Sequence, residues 1–340
     1  MKSSTSVVTG GCGFIGRHLC DALADRGDQV VALDIGGQPW RDDVAIVHVD
    51  LRDPDAVTAA VEGAGVVFHN ASLVHTRNNR SEDIWAVNLG GTEHILEACA
   101  VSSVPRLVYV SSASTVYEGE DIEGGDESLP YAQISQAPYA DSKIAAEKLV
   151  LSRNSPTLST TAIRPHVVFG PGDTRLLPAI LTRARAGKLK YAVGPPGSLS
   201  DFTYITNLID ALLLAEANLG PEGAAAGEAF FVTNGEPMGF FEFVGEVLEA
   251  LELPPIRGRV PYFLAYSAAA VAEAWDTLKG GTLNSEDGLS RFAVRYLCTH
   301  HYFSIEKARS RLGYEPRVDM KTGIGLTVEH LREHDRRARG

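Results

Sequence analysis

A chain of 340 residues, 44% of them hydrophobic and 22% charged, is long enough for one large α/β domain or a large domain with a smaller lobe. A net charge of −12 without any run of basic residues argues against nucleic acid as a partner, and suits a soluble protein that takes a neutral or lipophilic ligand. Cys12, Cys20, Cys99 and Cys298 form no C-x-x-C pair and the first residues show no signal-peptide pattern, so a reduced, cytoplasmic setting is expected and no metal site is read.

The chain opens on an apolar strand that runs into a glycine-rich turn and a helix starting near Phe14. Gly11, Gly13 and Gly16 fit G-x-G-x-x-G, and Gly10 adds a second frame, G-x-x-G-x-x-G. In that pattern one glycine makes the tight turn, one lets the backbone approach a pyrophosphate at the helix N-terminus, and one packs helix against strand. The helix over 17–26 stops at Gly27, and a second strand, 29–33, ends in Asp34, about 20 residues past the turn. An acid there accepts hydrogen bonds from the adenosine ribose hydroxyls and repels a 2′-phosphate, which predicts NAD. Arg41, a few residues on, leaves NADP open.

A strand over 45–49 then ends in Asp50 and Leu51, where an acid can receive the adenine amino group. A helix over 52–62 follows, then a buried strand, 66–72, whose small terminal residues Asn70 and Ala71 let the backbone pass close to a diphosphate. A helix carrying residues 85–88 and a strand over 107–112 complete four alternations of strand and helix. That alternation specifies a doubly wound parallel sheet of Rossmann type, with ligand at the strand carboxyl ends. Ser111 and Ser112 stand at such an end, where hydroxyls also satisfy turn backbone. Tyr139 and Lys143 open the next helix, after Pro138, and share one helical face. An ammonium beside a phenol stabilises the phenolate and brings proton transfer within range at neutral pH.

The strand over 161–164 ends at Pro165. From residue 176 the sequence builds a substrate side: helices over 177–186, 207–217, 239–251 and 304–312, and strands over 189–193 and 229–234. Residues 1–175 form the dinucleotide-binding domain and 176–335 mainly a smaller substrate-binding lobe, interleaved with the sheet edge. The longest apolar stretch, 262–275, is interrupted by Glu273 and falls short of the ~18 residues of a membrane span. It reads as a lobe helix, a lid over an apolar pocket, or a peripheral membrane contact. Phe202, Tyr204, Phe240 and Phe241 read as core, with a lipophilic pocket wall as the alternative.

The pattern T-G-x-x-G-x-x-G, a strand-end Ser and Y-x-x-x-K, met at Thr9 to Gly16, Ser112, Tyr139 and Lys143, resembles the extended short-chain dehydrogenase/reductase superfamily. Residues 111–119, 162–173, 201–207, 231–237, 301–308 and 312–316 narrow the resemblance to its 3β-hydroxysteroid dehydrogenase branch, and within it to sterol-4α-carboxylate 3-dehydrogenases. The resemblance implies that Gly10, Gly13, Phe14, Ile15, Gly16, Asp34, Asp50, Leu51, Asn70, Ala71, Tyr139, Lys143, Pro165 and His166 contact the dinucleotide. It also implies that Ser112, Tyr139 and Lys143 are catalytic. In a sugar-epimerase register Ala113 would hold the serine position, and Ser111, Ser114 or Thr115 would bind the substrate oxygen. His166 otherwise reads as a structural loop histidine. A homodimer paired through the helix after Lys143 and its predecessor is expected from the same resemblance.

The expected function is interconversion of a 3β-hydroxyl and a ketone on a sterol-like lipophilic substrate, coupled to loss of carbon dioxide if the neighbouring carbon bears a carboxylate. Reduction of long-chain 2-alkyl-3-keto acids is the first alternative. A nucleotide-sugar epimerase or dehydratase, with Arg164, Arg175, Arg183 and Arg185 as diphosphate partners, is a second. A dinucleotide-binding protein without chemistry is a third, and it has no use for the Tyr139/Lys143 pair.

Overall fold

Runs of β-branched and apolar residues with short glycine-punctuated connections favour strands buried on both faces. The computed structural model, which describes residues 4–74, 80–278 and 290–337, places them in one central sheet. In chain order the first half supplies β1 (Thr5–Thr9), α1 (Phe14–Arg26), β2 (Gln29–Asp34), β3 (Val44–His48), α2 (Pro54–Val61) and β4 (Val66–His69). The helix expected at 52–62 starts at Pro54 because Asp53 caps it, accepting from Ala56 N at 3.1 Å. One helical column follows, α3 (Ser81–Trp85), a π-helical turn (Ala86–Gly90) and α4 (Gly91–Val101), and then β5 (Arg106–Val110). β5 stops two residues earlier than expected, so Ser111 and Ser112 lie just past the strand.

Next come β6 (Ile122–Gly125), α5 (Pro138–Ser152), β7 (Ser159–Pro165), β8 (Val168–Phe169), α6 (Leu176–Arg185), β9 (Tyr191–Val193), β10 (Leu199–Ser200) and β11 (Thr203–Tyr204). The chain closes with α7 (Ile205–Ala217), β12 (Ala229–Val232), β13 (Met238–Gly239), α8 (Phe240–Ala250), β14 (Gly258–Val260), α9 (Tyr262–Leu278), α10 (Arg291–Cys298), β15 (His301–Phe303), α11 (Glu306–Leu312) and α12 (Met320–Arg337).

The seven-stranded sheet runs β12-β7-β5-β4-β1-β2-β3, and every pairing in it is parallel. The order reverses between β1 and β4, which opens a crevice at their carboxyl ends. β12, from the second half, pairs with β7 at the sheet edge. On one face Leu19 and Leu23 of α1 pack with Leu208 and Leu212 of α7 and Phe243 of α8; on the other, Val57, Ile95, Leu96 and Val150 of α2, α4 and α5 do so. Phe202 is fully buried, stacked on Phe243 at 4.5 Å, and Tyr204 is buried beside Phe169, so both belong to the core. Burying one such ring contributes about 1.5–3 kcal/mol.

A second, small sheet runs β13-β10-β15-β6. α9 rests on α10 through Ala265, Ala269 and Val294 and exposes Phe263, Leu264, Val271 and Trp275. Among the described residues no helix is long and apolar enough to cross a membrane.

Candidate active site

The glycine turn joins β1 to α1 at the switch point. Gly10 has φ +65°, a conformation that favours glycine, and a Cβ there would stand 2.9 Å from Ala71 Cα. A Cβ on Gly16 would stand 2.0 Å from Gly10 O, so helix and turn touch through backbone alone. Gly13 is the N-cap of α1 and supplies no side-chain partner to the first-turn N–H groups of Phe14, Ile15 and Gly16. An uncapped helix N-terminus behind an exposed glycine presents donors and a positive dipole end to an anion, which is the chemistry a dinucleotide diphosphate requires.

The far wall of this cradle is the loop after β4. Thr9 Oγ1 accepts from Asn70 N at 3.1 Å and Ala71 N at 3.0 Å, and Asn70 Nδ2 donates to Gly10 O at 3.4 Å. Beneath it His69 is fully buried between Thr9 (Nδ1 to Oγ1, 2.8 Å) and Thr92 (Nε2 to Oγ1, 2.9 Å). Thr92 donates its proton to Asn88 O at 2.5 Å, so it accepts from His69 Nε2–H, and His69 Nδ1 accepts from Thr9. Burial pushes the His69 imidazolium down to a pKa of about 3, which keeps the ring neutral in this role. No sequence pattern announced the chain; its signals were a histidine in an otherwise apolar strand and the threonine ahead of the glycines.

Asp34 ends β2 and takes Cys12 N–H on Oδ2 at 3.0 Å, which brings its carboxylate to the turn. Arg41 is tied to Asp25 and Asp43 at 2.8 Å each and lies 3.7 Å from Asp21. Those carboxylates occupy the guanidinium that the sequence offered to a 2′-phosphate. Asp50 is bound by Arg52 at 2.6 Å, which lowers its pKa. Leu51 is buried against Gly91, and its carbonyl accepts from His94 Nδ1 at 2.6 Å.

Across the crevice, Ser112 starts a 3₁₀ turn (Ala113–Val116) and its Oγ accepts from Ser114 N at 3.1 Å and Ser114 Oγ at 2.9 Å. Ala113 points instead into a small core with Val116, Phe231 and Phe303. Tyr139 stands on the first turn of α5, and Ser112 is close enough to lower its pKa. The structure thus brings Ser112, not Ala113, to the phenol. Ser111 Oγ is buried without a partner among the described residues.

Lys143 stands one turn beyond Tyr139. It is buried, its Nζ donates to Val110 O at 2.6 Å, and it lies 4.5 Å from the Tyr109 ring centre. Burial pushes its pKa down to about 7 against the upward pull of Glu147. The sequence assigned the pull on Tyr139 to this ammonium, and here the structure differs. Burial raises the Tyr139 pKa, and the downward influences are Ser112 and Arg175. The reason is local: a buried ammonium takes the nearest strong acceptor, the strand-end carbonyl of Val110.

Pro165 pairs with Val232 in the sheet, and His166 follows it into a buried cluster with His301 (2.7 Å) and Tyr296 (3.2 Å). Of the arginines considered for a diphosphate, Arg164 is buried against Glu147, Arg185 is paired with Asp335, and Arg175 donates to Val74 O at 2.7 Å.

A glycine cradle at the switch point of a seven-stranded parallel sheet, faced by a serine and a tyrosine one helical turn ahead of a lysine, defines an oxidoreductase of the short-chain dehydrogenase/reductase class. Residues 7–259 match the 3-beta hydroxysteroid dehydrogenase/isomerase family, and the chain belongs to that family. It is 38% identical to a 2-alkyl-3-oxoalkanoate reductase of Stenotrophomonas maltophilia, over 94% of this chain and 96% of that protein. It is 35% identical to the decarboxylating sterol-4-alpha-carboxylate 3-dehydrogenase of Mus musculus, over 98% of this chain and 93% of the other. Among solved structures it is similar to the UDP-glucose 4-epimerase of Thermus thermophilus in complex with NAD, with a TM-score of 0.73 and 25% identity over 96% of this chain and 99% of that one.

Proposed function

We propose that the protein is an NAD-dependent dehydrogenase that interconverts a secondary alcohol and a ketone on a lipophilic, sterol-like skeleton bearing a carboxylate on the adjacent carbon. The observation that carries this reading is the grouping of Ser112, just past β5, with Tyr139 and, one turn on, a buried Lys143 fixed on Val110 O, beside the uncapped first turn of α1. Phe14, Ile15 and Gly16 N–H would hold the diphosphate, Asp34 the adenosine ribose and Lys143 the nicotinamide ribose, with Asn70, Ala71, Asp50, Leu51, Pro165 and His166 lining the remainder. Bound NAD supplies the hydride acceptor. The commitment of Arg41 to three carboxylates supports NAD over NADP.

Ser112 Oγ and the Tyr139 phenol are the two partners of the reacting oxygen. In the oxidative direction Tyr139, as phenolate, takes the hydroxyl proton while Ser112 holds the oxygen. Because burial keeps the phenol protonated at neutral pH, oxidation should accelerate as pH rises, whereas the protonated form is ready to donate to a ketone oxygen. A carboxylate next to the new ketone is β to a carbonyl. Its C–C bond electrons can pass into that carbonyl as carbon dioxide leaves, with the developing enolate held by the same two hydroxyls.

The reductive reading, acting on 2-alkyl-3-keto acids, shares this machinery and is supported by the Stenotrophomonas relative. All four cysteines are free, which supports a reducing, cytoplasmic setting. Exposed Glu93 and Glu97 on α4 and Lys148 on α5 supply opposite charges for pairing two copies through these helices.

Purified protein should reduce NAD with a 4α-carboxy-3β-hydroxysterol. Tyr139→Phe should cut kcat by about 10²–10⁴-fold while NADH binding, followed by fluorescence, is kept. Turnover retained in that variant would sink the mechanism.

A further inference from the structure

A second phenol, Tyr296, packs against Tyr117 at the end of the 3₁₀ turn that Ser112 begins, and the mechanism above does not use it. Tyr296 lies on α10, whose seat is fixed from three sides. Ser290 caps the helix through Ala293 N at 3.0 Å, and Glu273 of α9 accepts from Arg291 N at 2.8 Å and Nε at 2.6 Å. Tyr117, which follows the 3₁₀ turn begun by Ser112, meets the Tyr296 ring edge-on at 5.4 Å. The His301 ring stacks on Tyr296 at 4.1 Å, and the phenols of Tyr296 and Tyr139 lie within electrostatic reach of each other.

Counting protons fixes the direction of the Tyr296 hydroxyl. His301 Nε2 lies 2.7 Å from Tyr296 O, a carbonyl, so Nε2 carries the hydrogen. Burial holds His301 neutral at pH 7, with a pKa of about 4, so its Nδ1 is a bare acceptor. His166 Nε2 faces that Nδ1 at 2.7 Å and must therefore be N–H. The same N–H lies 3.2 Å from the Tyr296 oxygen, which consequently accepts from it. The Tyr296 proton is left to point away from His166, and among the described residues it meets no acceptor. Burial raises the Tyr296 pKa, so the group stays a donor across the physiological range.

Ser112 and Tyr139 fill the two hydrogen-bonding positions of a reacting alcohol or ketone oxygen, and a third donor serves an oxygen elsewhere on the ligand. We propose that Tyr296 is a specificity-determining residue whose O–H, set by His166 and His301, donates to a carboxylate oxygen on the carbon adjacent to the reacting one. A substrate with only hydrogen or methyl at that carbon would leave the buried O–H unmet, which selects against it. The inference rests on the alcohol–ketone chemistry proposed above, and gives it a residue that separates β-hydroxy acids from plain hydroxysteroids.

The test compares the wild-type protein and Tyr296→Phe, by NADH formation, on a 4α-carboxy-3β-hydroxysterol and on the same sterol lacking the carboxyl group. The expected result is a KM for the acid raised about 10- to 100-fold, with kcat/KM for the neutral sterol changed less than about 3-fold and an unshifted melting temperature. His166→Ala, compared at saturating NAD because His166 also lines the cofactor, should reproduce the loss on the acid, and His166→Gln, which keeps an N–H donor, should recover most of it. Equal effects on both substrates, or none, overturn the role of Tyr296 while leaving the chemistry standing. A wild-type enzyme that turns over only the neutral sterol also overturns it alone, and one that acts on neither sterol nor a 2-alkyl-3-keto acid overturns both readings.

Discussion

In the proposed function, Asp34 sets the cofactor preference through one carboxylate. Its Oδ2 is held by Cys12 N–H, so the acid is fixed beside the turn before any ligand arrives, and the nearby cation Arg41 is spent on Asp21, Asp25 and Asp43. Removing it takes away a charge-assisted acceptor for the ribose hydroxyls, worth about 1.5–3 kcal/mol. Asp34→Ala should therefore raise the KM for NAD by roughly 10- to 100-fold while the KM for NADP falls or holds. An unchanged NAD:NADP ratio of kcat/KM would exclude Asp34 as the discriminating group. Side chains of this kind were legible because their chemistry travels with residue type and spacing: Asp34 after the glycines, Ser112 after a strand, and Tyr139 and Lys143 on one helical face. The Thr9–His69–Thr92 chain and the His166–His301–Tyr296 cluster were not legible. Each joins segments far apart in sequence, and only the folded sheet brings them together.

Among the elements, the turn between β1 and α1 has the least tolerance. A Cβ on Gly16 would overlap the Gly10 carbonyl at 2.0 Å, and both groups are backbone, so neither can swing away as a side chain would. Gly16→Ala should cost about 1–3 kcal/mol of stability by forcing α1 off the turn. It should weaken NADH binding further, because the first-turn donors move with the helix. Urea unfolding and NADH fluorescence titration on the same sample separate the two losses, and native values in both would show that α1 does not need this contact. The helix after a glycine turn and the strands of the central sheet were readable from periodicity and caps. α12 was not read, although Asp319 accepts from Thr322 N at 2.7 Å as a cap and Met320, Ile324 and Val328 form a buried stripe. The two-residue strands β8, β10, β11 and β13 were beyond reading, since no periodicity exists in two residues and pairing alone defines them.

At the scale of the whole molecule, burial of titratable groups sets a pH limit. His69, His301 and His166 are all held neutral inside, with pKa values pushed to about 3, about 4 and well below the ordinary range, first by desolvation in each case. Unfolding restores pKa values near 6.5, so between there and about pH 4 the unfolded chain binds protons that the folded one refuses. The stability these groups contribute is fully present above pH 6.5 and is lost as pH falls. Asp201 works the other way: burial raises its pKa to about 7, so the folded state binds its proton more readily than the unfolded chain as pH drops. Burial raises Glu127 and Asp173 in the same direction, so three carboxyls oppose the three histidines and reduce the net proton uptake on unfolding. The urea midpoint should accordingly drop between pH 6 and 4.5, before the exposed carboxylates begin to titrate. His69→Gln, which keeps one donor and one acceptor between Thr9 and Thr92, should start from a lower midpoint but fall less steeply. A wild-type midpoint that stays level down to pH 4.5 would mean that the three imidazoles accept protons in the folded state, and that the neutral hydrogen-bond directions derived for His69 and for the His166–His301 pair do not hold.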